Sequence, residues 1–399
     1  MTPDMQWKEF MYEACQKAYM DAGVDPRKDV DGFITCAEDY YEGFSIFDEF
    51  VPDQIGATLR PCFTVCGDGL YGLAQAYMQI KTGLLDVISI EAHSKISDLL
   101  SFGDIVLFAF DPVFERPVAG PVERQRYAGS PTYTKKEPKP LIGATGEKDR
   151  LHPYFLAGLE MQHYLKKAGI TEEQCAGVVV KNKRNAFFNP YADYEARISA
   201  EDVMKSEYLF KPVKRLDIAP NVDGAICFVL ASEEAAKRLG AEPVYMNGFG
   251  YHSETPWLAT RGMDAGYAAK AGEMAYKMAG ITQPRQQIHI TEVDDRFSYK
   301  ELQHLEALGL ARCGEAAEML SEGELDVKGS LPTNVSGGSL GVGCCFEATG
   351  LQKSLEIVTQ LRGHAGKRQV ADAEVGLAQS WRGIPSGSGA VAIFERGRW

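Results

Sequence analysis

The feature that most constrains the fold is an internal repeat in which the end of a helix is followed by a strand. The segment AYMDAGV at 18–24 recurs as AYKMAGI at 275–281, and YLKKAGI at 164–170 is a third relative. Each copy ends an amphipathic helix at a glycine, which favours the left-handed conformation that terminates helices. A β-rich run follows each glycine: VDGFIT, QIHITEV and CAGVVV. Repeated helix–loop–strand units predict an α/β fold with a mostly parallel sheet.

Two glycine-rich turns, one in each half of the sequence, both lead into a helix. The turn CGDG spans residues 66–69, and the turn GGSLGVGCCFEATG spans residues 337–350. Apolar residues at helical spacing follow both turns: Leu70, Leu73, Ala74 and Tyr77 after the first, and Leu351, Leu355 and Val358 after the second. The matching turns predict two similar α/β halves, each with a glycine-rich turn at a helix N-terminus.

The predicted halves are separated by a long insertion. We expect residues 1–93 and 224–240 to form the N-terminal half, residues 241–399 the C-terminal half, and residues 94–223 an inserted loop domain. The insertion is rich in proline, lysine and aromatic residues, and its run SPTYTKKEPKP at 130–140 is typical of an exposed loop.

Composition excludes several classes of function. At 399 residues and 45% hydrophobic content, the chain is long enough for two core-sized domains. No apolar run approaches the ~18 residues that span a membrane, and the net charge of -13 disfavours nucleic acid and anionic membranes. The nine cysteines are scattered without paired C-x-x-C spacing, which favours reduced thiols over disulfides or a zinc site. We therefore expect a cytoplasmic protein that holds no metal.

Cys66 lies at the junction between a β-like run and a helix start, where a thiol can be reactive. The positive end of the helix dipole stabilises a thiolate there, and the free N–H groups of the first turn can bind an oxyanion. Glycines in the turn let a substrate carbonyl approach the backbone. The role of Cys66 stays open for two reasons. A small buried cysteine can also fill a tight turn, and Asp68 adds a negative charge that opposes a thiolate.

Five segments, in the same order along nearly the whole chain, resemble the thiolase superfamily and in particular its archaeal and sterol-carrier-type branch. The first, VCGDGLYGLAQAY, resembles the nucleophile loop with Cys66 at the cysteine position. The others are KNKRNAFFNPYADY, DIAPNVDGAICFVLAS, NVSGGSLGVGCCFEATG and GIPSGSGAVAIF. The resemblance implies a layered αβαβα core of duplicated halves and an acyltransferase that works through an acyl-cysteine on coenzyme A (CoA) substrates.

The departures from the family pattern fall on its chemistry. Cys344 stands where the Gly-His-Pro loop has its histidine, and Glu347 replaces a usual glycine. Asp294 stands at the histidine of the His-Asp-x-Phe motif, and Ile384 at the C-terminal cysteine base. Cys66 is thus the only standard side chain that the chain retains.

The resemblance also implies roles for neighbouring residues. Backbone N–H groups of Cys66 and of the Ser386–Gly387 turn can form an oxyanion hole. Five side chains lie near the site by alignment and are candidates for the acid/base: Cys344, Glu347, Asp294, Asp295 and His289. We favour Cys344, with the alternative that Cys344 and Cys345 fill space behind a rebuilt pocket.

Arg296 is the main clue to the substrate. Beside two aspartates it is either a member of an ion pair or a clamp for a substrate carboxylate, with Glu347 also lining the substrate site. The aromatic residues of the insertion either line the site of a flat substrate or pack in the core or in a dimer interface: Phe187, Phe188, Tyr191 and Tyr194. Within the superfamily the chain resembles the benzoylsuccinyl-CoA thiolases, which convert benzoylsuccinyl-CoA and CoA to benzoyl-CoA and succinyl-CoA.

Family analogy places the pantetheine arm of CoA against the insertion and the Ala219–Pro220 turn. The cationic residues Lys181, Lys183 and Arg184 are candidates for its phosphates, or they form a solvated strand end. The resemblance also implies a homodimeric core and a small zinc-ribbon/OB-fold partner subunit, for which the TKKEPKP run is a candidate docking site. The family begins with a strand before its MTP-like turn, so that strand is either absent or precedes Met1 in a longer chain.

The sequence is therefore compatible with two functions. The chain is a thiolase, acting in the cleaving or the condensing direction through Cys66, or it is a thiolase-fold scaffold that binds CoA or a partner subunit without turnover.

Overall fold

The computed structural model describes residues 4–37, 46–96, 153–240, 242–255, 262–384 and 387–397. The described strands are β1 Gly32–Ala37, β2 Cys62–Cys66, β3 Val87–Ser94, β4 Tyr208–Phe210, β5 Val213–Lys214, β6 Gly224–Ala231, β7 Val244–Ser253, β8 Ile290–Glu292, β9 Val375–Trp381 and β10 Ser388–Arg396. The described α-helices are α1 Trp7–Ala22, α2 Phe47–Phe50, α3 Pro52–Ile55, α4 Gly69–Lys81, α5 Pro153–Ala168, α6 Glu172–Ala186, α7 Ala200–Lys205, α8 Glu233–Leu239, α9 Gly266–Ala279, α10 Pro284–Gln287, α11 Ser298–Ala307, α12 Glu315–Ser321, α13 Gly338–Val342 and α14 Thr349–Leu361.

Each of the two four-stranded sheets contains the same three-strand unit, in which two parallel strands are followed by an antiparallel one: β1-β3-β6 and β8-β9-β10. The first has the order β2-β1-β3-β6, with β1 parallel to β2 and β3 and with β6 antiparallel to β3. The second has the order β7-β10-β9-β8, with β8 parallel to β9 and with β10 antiparallel to β9 and β7. Because α1 precedes β1 as α9 precedes β8, the duplication predicted from the repeat at 18–24 and 275–281 is confirmed.

The helices and sheets form five layers. Helices α4 and α14 lie between the two sheets, and one apolar core joins them to both: Leu70, Leu73, Leu351 and Ile357 with Ile34, Ile90, Ala378 and Ala390. Helix α1 packs on the outer face of the first sheet, and α9 and α11 pack on the outer face of the second. The αβαβα arrangement expected from the family resemblance is therefore present.

The glycine stops are confirmed, but one of the three predicted strands is wrong. Gly23, Gly169 and Gly280 all have φ near +70°, and each ends its helix. The run CAGVVV, however, lies inside α6 rather than in a strand. Thr171 and Gln174 form a capping box at the start of α6, and this local signal, with a helically spaced buried face, overrides the β-propensity of three valines.

The insertion expected at 94–223 connects two paired strands, and its boundaries stay a prediction. β3 ends at Ser94, β6 begins at Gly224, and these two residues are partners in the antiparallel register. The described part of the insertion is mainly helical, with α5, α6, α7 and the short pair β4–β5. The run at 130–140 lies outside the described residues, so its role as an exposed docking loop stays a prediction.

Strand β6 differs from its counterpart β10 in what covers it. β10 pairs with β9 on one side and with β7 on the other, whereas within the described ranges β6 pairs only with β3. A groove of ≈ 1210 Å³ runs along β6 between α1 and α14. As a result β6 is half-buried over its whole length, while β10 is buried from Ser388 to Phe394.

Candidate active site

Cys66 is the last residue of β2, and its thiol is exposed. In the parallel register Cys66 pairs with Ala37 of β1, and the Gly67 N–H donates to the Ala37 carbonyl at 3.2 Å. Cys66 therefore lies at the carboxyl end of the parallel strands, which is where α/β folds place their ligand sites. Helix α4 begins three residues later, at the position that the sequence predicts.

The N-termini of α4 and α14 converge next to Cys66, and the group that joins them is the buried Asp68 carboxylate. Asp68 Oδ1 accepts the Leu70 N–H at 2.9 Å and the Ser380 hydroxyl at 2.6 Å, and Oδ2 accepts the Gly350 N–H at 2.6 Å. The convergence of the two helix starts is thus confirmed. The anion placed between them is Asp68, which the sequence indicates only as a charge opposing the thiolate.

Backbone hydrogen bonds join three segments, those around Ala219–Val222, Arg296 and Cys344. The Cys344 N–H donates to the Pro220 carbonyl at 2.7 Å, and the Cys344 carbonyl accepts from Val222 N–H at 3.1 Å. The Ala219 N–H donates to the Arg296 carbonyl at 2.9 Å. The structure therefore brings together four residues that sequence analysis assigned to one site: Ala219, Pro220, Arg296 and Cys344.

The segment that replaces the family's histidine loop is buried and carries a strained residue. Cys344 is 0% exposed, with its Sγ 4.0 Å from the Thr349 hydroxyl, and Glu347 is 1% exposed. Phe346 has φ of +40°, a left-handed conformation that is costly for an aromatic residue. The Arg296 guanidinium lies 4.8 Å from the Phe346 ring centroid, so the strained residue forms a cation–π contact.

Asp294 and Asp295 are both buried, but they differ in how their charge is compensated. Burial opposes the ionised form of Asp295, but the Lys353 ammonium and two backbone N–H groups offset it, so its pKa is lowered. Burial raises the pKa of Asp294, against the charge of Arg296. Asp294 Oδ1 accepts the Arg296 N–H at 2.9 Å, whereas Oδ2 has no hydrogen-bond partner among the described residues. Asp294 is therefore the better candidate for a neutral acid.

A buried polar network behind Asp294 was not predicted from the sequence. His304 Nδ1–H donates to the Asp294 carbonyl at 2.8 Å, and the Tyr267 hydroxyl donates to His304 Nε2 at 2.8 Å. Burial, together with the Lys300 ammonium, lowers the pKa of His304 to about 3, so the imidazole is neutral. Lys300 in turn pairs with Glu160 at 3.0 Å. The only sequence signal is the Lys300/His304 spacing of one helical turn, which is common on exposed helices.

Two of the three cationic residues expected to bind the CoA phosphates have their ammonium groups engaged inside the protein, and Arg184 does not. All three lie on α6, so the alternative of a solvated strand end is wrong. Lys181 is buried and pairs with Glu301 at 3.1 Å. The Lys183 ammonium donates to the Tyr194 and Leu340 carbonyls at 3.0 and 3.1 Å, and burial lowers its pKa. Arg184 is exposed and pairs with Asp326 at 2.5 Å.

Three other predicted residues lie in different surroundings. His289 is exposed at the amino end of β8, where its Nδ1 accepts the Val375 N–H, whereas Asp294 follows the carboxyl end of that strand. His289 is therefore not at the site. Gly387 accepts the Glu254 N–H at 2.8 Å through its carbonyl, and Ser386 lies outside the described residues. Of the aromatic residues, Phe187, Phe188 and Tyr191 are exposed and Tyr194 is half-buried.

Two searches of the described residues bear on ligands and on membranes. Within those residues, no group of three or more His, Cys, Asp and Glu side chains is arranged to hold a metal ion. Over the same part of the chain, every helix is too short or too polar to cross a bilayer.

Known proteins resemble the chain over its whole length. Residues 256–396 match the family model described as thiolase C-terminal domain-like. The acetyl-CoA acetyltransferase of Methanothermobacter thermautotrophicus is 30% identical over 404 residues, which cover 98% of this chain and 95% of that protein. The chain belongs to the thiolase superfamily. The expected fold and enzyme class, an α/β thiolase-type acyltransferase, are thereby confirmed.

Other superfamily members show the same relationship. Sterol carrier protein 2 of Gallus gallus is 27% identical over 94% of this chain, which spans 65% of that longer protein. Among solved structures, the Ltp2-ChsH2(DUF35) aldolase superposes with a TM-score of 0.77 at 23% identity, covering 100% of this chain and 94% of that one. At that identity the superposition shows the thiolase fold alone.

Proposed function

We propose that this thiolase transfers an acyl group between CoA and a carbon acid through a thioester on Cys66. The observation that carries the proposal is the position of Cys66, an exposed thiol at the carboxyl end of β2, where the chain turns into α4. Acyl transfer needs an accessible sulfur and N–H donors for each oxyanion. We propose the Cys66 N–H and the Ser386–Gly387 turn as the donors.

In the cleaving direction the Cys66 sulfur gives its proton to the acid/base and attacks the β-keto carbonyl carbon. The bond from that carbon to the α-carbon then breaks, and its electron pair takes the proton back from the acid/base. The acyl group left on Cys66 passes to the thiol of CoA, whose proton returns to Cys66. We propose Cys344 as the acid/base and a neutral Asp294 as a hydrogen-bond donor to an oxyanion.

We propose a β-ketoacyl-CoA that carries a free carboxylate, such as benzoylsuccinyl-CoA, as the substrate. Arg296 and Phe346 support this choice, because a guanidinium stacked on a phenyl ring offers one contact for a carboxylate and another for an aryl group. Cleavage of this substrate leaves a benzoyl group on Cys66 and releases succinyl-CoA. Glu347 and the Ala219–Pro220 turn are proposed to line the acyl and pantetheine parts of the site.

The proposed assembly is a homodimeric core with a small zinc-ribbon/OB-fold subunit. The solved neighbour that pairs Ltp2 with ChsH2(DUF35) supports a small partner for this fold. The partner is also a proposed source of phosphate contacts, because the ammonium groups of Lys181 and Lys183 are used inside this chain. Arg184 remains a candidate.

Turnover of benzoylsuccinyl-CoA with CoA tests the proposal directly. We expect benzoyl-CoA and succinyl-CoA as products in a mass-spectrometric assay of the chain with its partner subunit. Cys66→Ala is expected to abolish turnover, and Cys313→Ala, which removes another exposed thiol, is expected to preserve it. A fully active Cys66→Ala enzyme would contradict the mechanism.

Arg296→Ala tests the substrate class separately. Loss of a charge-assisted carboxylate contact is expected to raise KM for benzoylsuccinyl-CoA on the order of tenfold or more. The matched control is a β-ketoacyl-CoA without a free carboxylate, for which KM is expected to change little. An unchanged KM for the dicarboxylic substrate would remove the clamp from the proposal.

A non-catalytic scaffold is the second candidate. It is favoured by one feature, the replacement of both family histidines by Cys344 and Asp294. The scaffold predicts that CoA or the partner subunit binds while no acyl-enzyme forms with any acyl-CoA.

A further inference from the structure

The buried Asp68 carboxylate occupies the point where two helix N-termini meet. It is 2% exposed, and its two oxygens accept hydrogen bonds from the first turns of both α4 and α14. The third donor is the hydroxyl of Ser380, on β9 of the second sheet. One side chain thus ties the helix that follows Cys66 to the helix that follows the Cys344–Glu347 segment.

Because of its position, Asp68 is the group that receives the electrostatic field of the two helix N-termini. The positive end of a helix dipole is carried by its free N–H groups and falls off within the first turn. The N–H groups of Leu70 and Gly350 donate to Asp68, so its carboxylate already occupies them, and donors of this kind favour its ionised form. Asp68 follows Cys66 by two residues in the sequence, and a negative charge on Asp68 opposes a second negative charge on the Cys66 sulfur.

We propose that Asp68 is a positioning residue for acyl transfer that performs two tasks. It fixes the Cys66 turn against the Cys344–Glu347 segment across the two halves. It also withholds the two helix N-termini from the Cys66 sulfur, so the sulfur is activated by the acid/base and the bound substrate rather than by the helices. The proposal rests on Cys66 being the nucleophile, as proposed above.

The Asp68→Asn variant tests these two tasks while it keeps the helix cap that folding needs. Asparagine caps a helix about as well as aspartate, so its Oδ1 can keep the Leu70 N–H and the Ser380 hydroxyl. Its amide N–H₂ then faces the Gly350 N–H, where donor meets donor, and the cross-half bond is lost together with the charge. The matched variant is Ser380→Ala, which removes a hydrogen bond from the same carboxylate but leaves its charge in place.

The readout is the rate at which iodoacetamide alkylates Cys66, mapped by peptide mass spectrometry. A purely structural role of Asp68 would not make this rate depend on the charge at position 68. We expect Asp68→Asn to be alkylated at neutral pH roughly five- to tenfold faster than wild type, since a nearby unit charge is removed. Ser380→Ala is expected to stay within about twofold of wild type because the charge remains. Asp68→Asn should nevertheless transfer a benzoyl group from benzoyl-CoA on the order of tenfold more slowly, because the nucleophile is misplaced.

The outcomes separate the two proposals. Unchanged alkylation in Asp68→Asn, or an equal rise in both variants, would overturn the role of Asp68, since an equal rise indicates loosening of the turn. Alkylation needs no acyl substrate, so a wild type that is inert toward benzoyl-CoA would count against the acyl-transfer function. The alkylation rates would still decide whether Asp68 controls the sulfur.

Discussion

His304 holds the backbone of Asp294 although no motif marks it. Its Nδ1–H is fixed on the Asp294 carbonyl, and its Nε2 accepts from Tyr267, so the ring has one tautomer and one orientation. The Lys300 ammonium is part of the same network, because it donates to the Tyr267 hydroxyl at 3.4 Å. A second proton on His304 would break the hydrogen bond from the Tyr267 hydroxyl. The folded protein therefore favours the neutral imidazole.

The first prediction concerns the pH dependence of His304→Gln. Because its pKa falls from about 6.5 unfolded to about 3 folded, neutral His304 contributes stability above pH 6.5 that is lost as pH falls toward 3. Wild type should therefore be more stable than His304→Gln at pH 7, and this gap should shrink by about 2 kcal/mol at pH 4.5. Urea unfolding at the two pH values measures the gap.

His289→Gln is the control, since His289 is exposed at the amino end of β8. Wild type and each variant share all other titrating groups, so the difference in their unfolding free energies reports on one imidazole. A gap for His304→Gln that stays constant or widens on acidification would show that the imidazole is charged or exposed in the folded state.

At the residue scale the sequence predicts where Cys66 lies better than it predicts side-chain partners. The position of Cys66 between a strand and a helix start follows from residues that are adjacent in sequence. The partners of Lys183 do not, because the acceptors Tyr194 and Leu340 are brought to it only by the tertiary fold. A lysine near a predicted site therefore indicates a phosphate ligand only after its interior acceptors are known.

At the element scale, close packing of two helix starts sets the geometry of the site. Gly69 of α4 lies against Leu351 of α14, and a Cβ on either Gly69 or Gly350 would overlap atoms of the facing helix turn. Glycine is required at these positions because a Cβ would lie 2.3 Å from the Leu351 side chain at Gly69 and 2.2 Å from the Asp68 carboxylate at Gly350. Glycines in both turns thus allow the two helix starts to pack against each other.

The second prediction is that Gly350→Ala separates the two helices. The added Cβ would collide with Asp68 Oδ1, so we expect a loss of about 1–3 kcal/mol in unfolding free energy. Benzoyl transfer to Cys66 should slow as well. Gly262→Ala is the matched control, because a Cβ there meets nothing within 4 Å. Equal stability of the two variants would show that the helix starts are not in tight contact.

Elements with strong local signals were predicted correctly, and the one failure has a local cause. Glycine stops and helical periodicity gave α1, α4, α9 and α14. Valine favours sheets, so the run CAGVVV predicts a strand, whereas the capping box at Thr171 starts a helix there. The cap outweighs the β-propensity of three valines.

At the scale of the whole molecule, the two halves share a three-strand unit, but within the described residues their fourth strands lie at opposite edges, β2 beside β1 and β7 beside β10. β10 is covered by β7, whereas β6 borders the groove beside α1. The repeated helices and turns predicted the duplication from sequence alone. They could not predict this difference, because the edge of a sheet is defined by which strands pair and not by the residues of one strand.

The account as a whole depends on Cys66 accepting an acyl group. Incubation of the chain and its partner subunit with benzoyl-CoA, followed by intact-mass and peptide mapping, measures this directly. We predict a benzoyl adduct on Cys66 that is absent in Cys66→Ser, is retained in Cys313→Ser, and is discharged by added CoA. A wild type without the adduct, or an equal adduct in Cys66→Ser, would contradict the account.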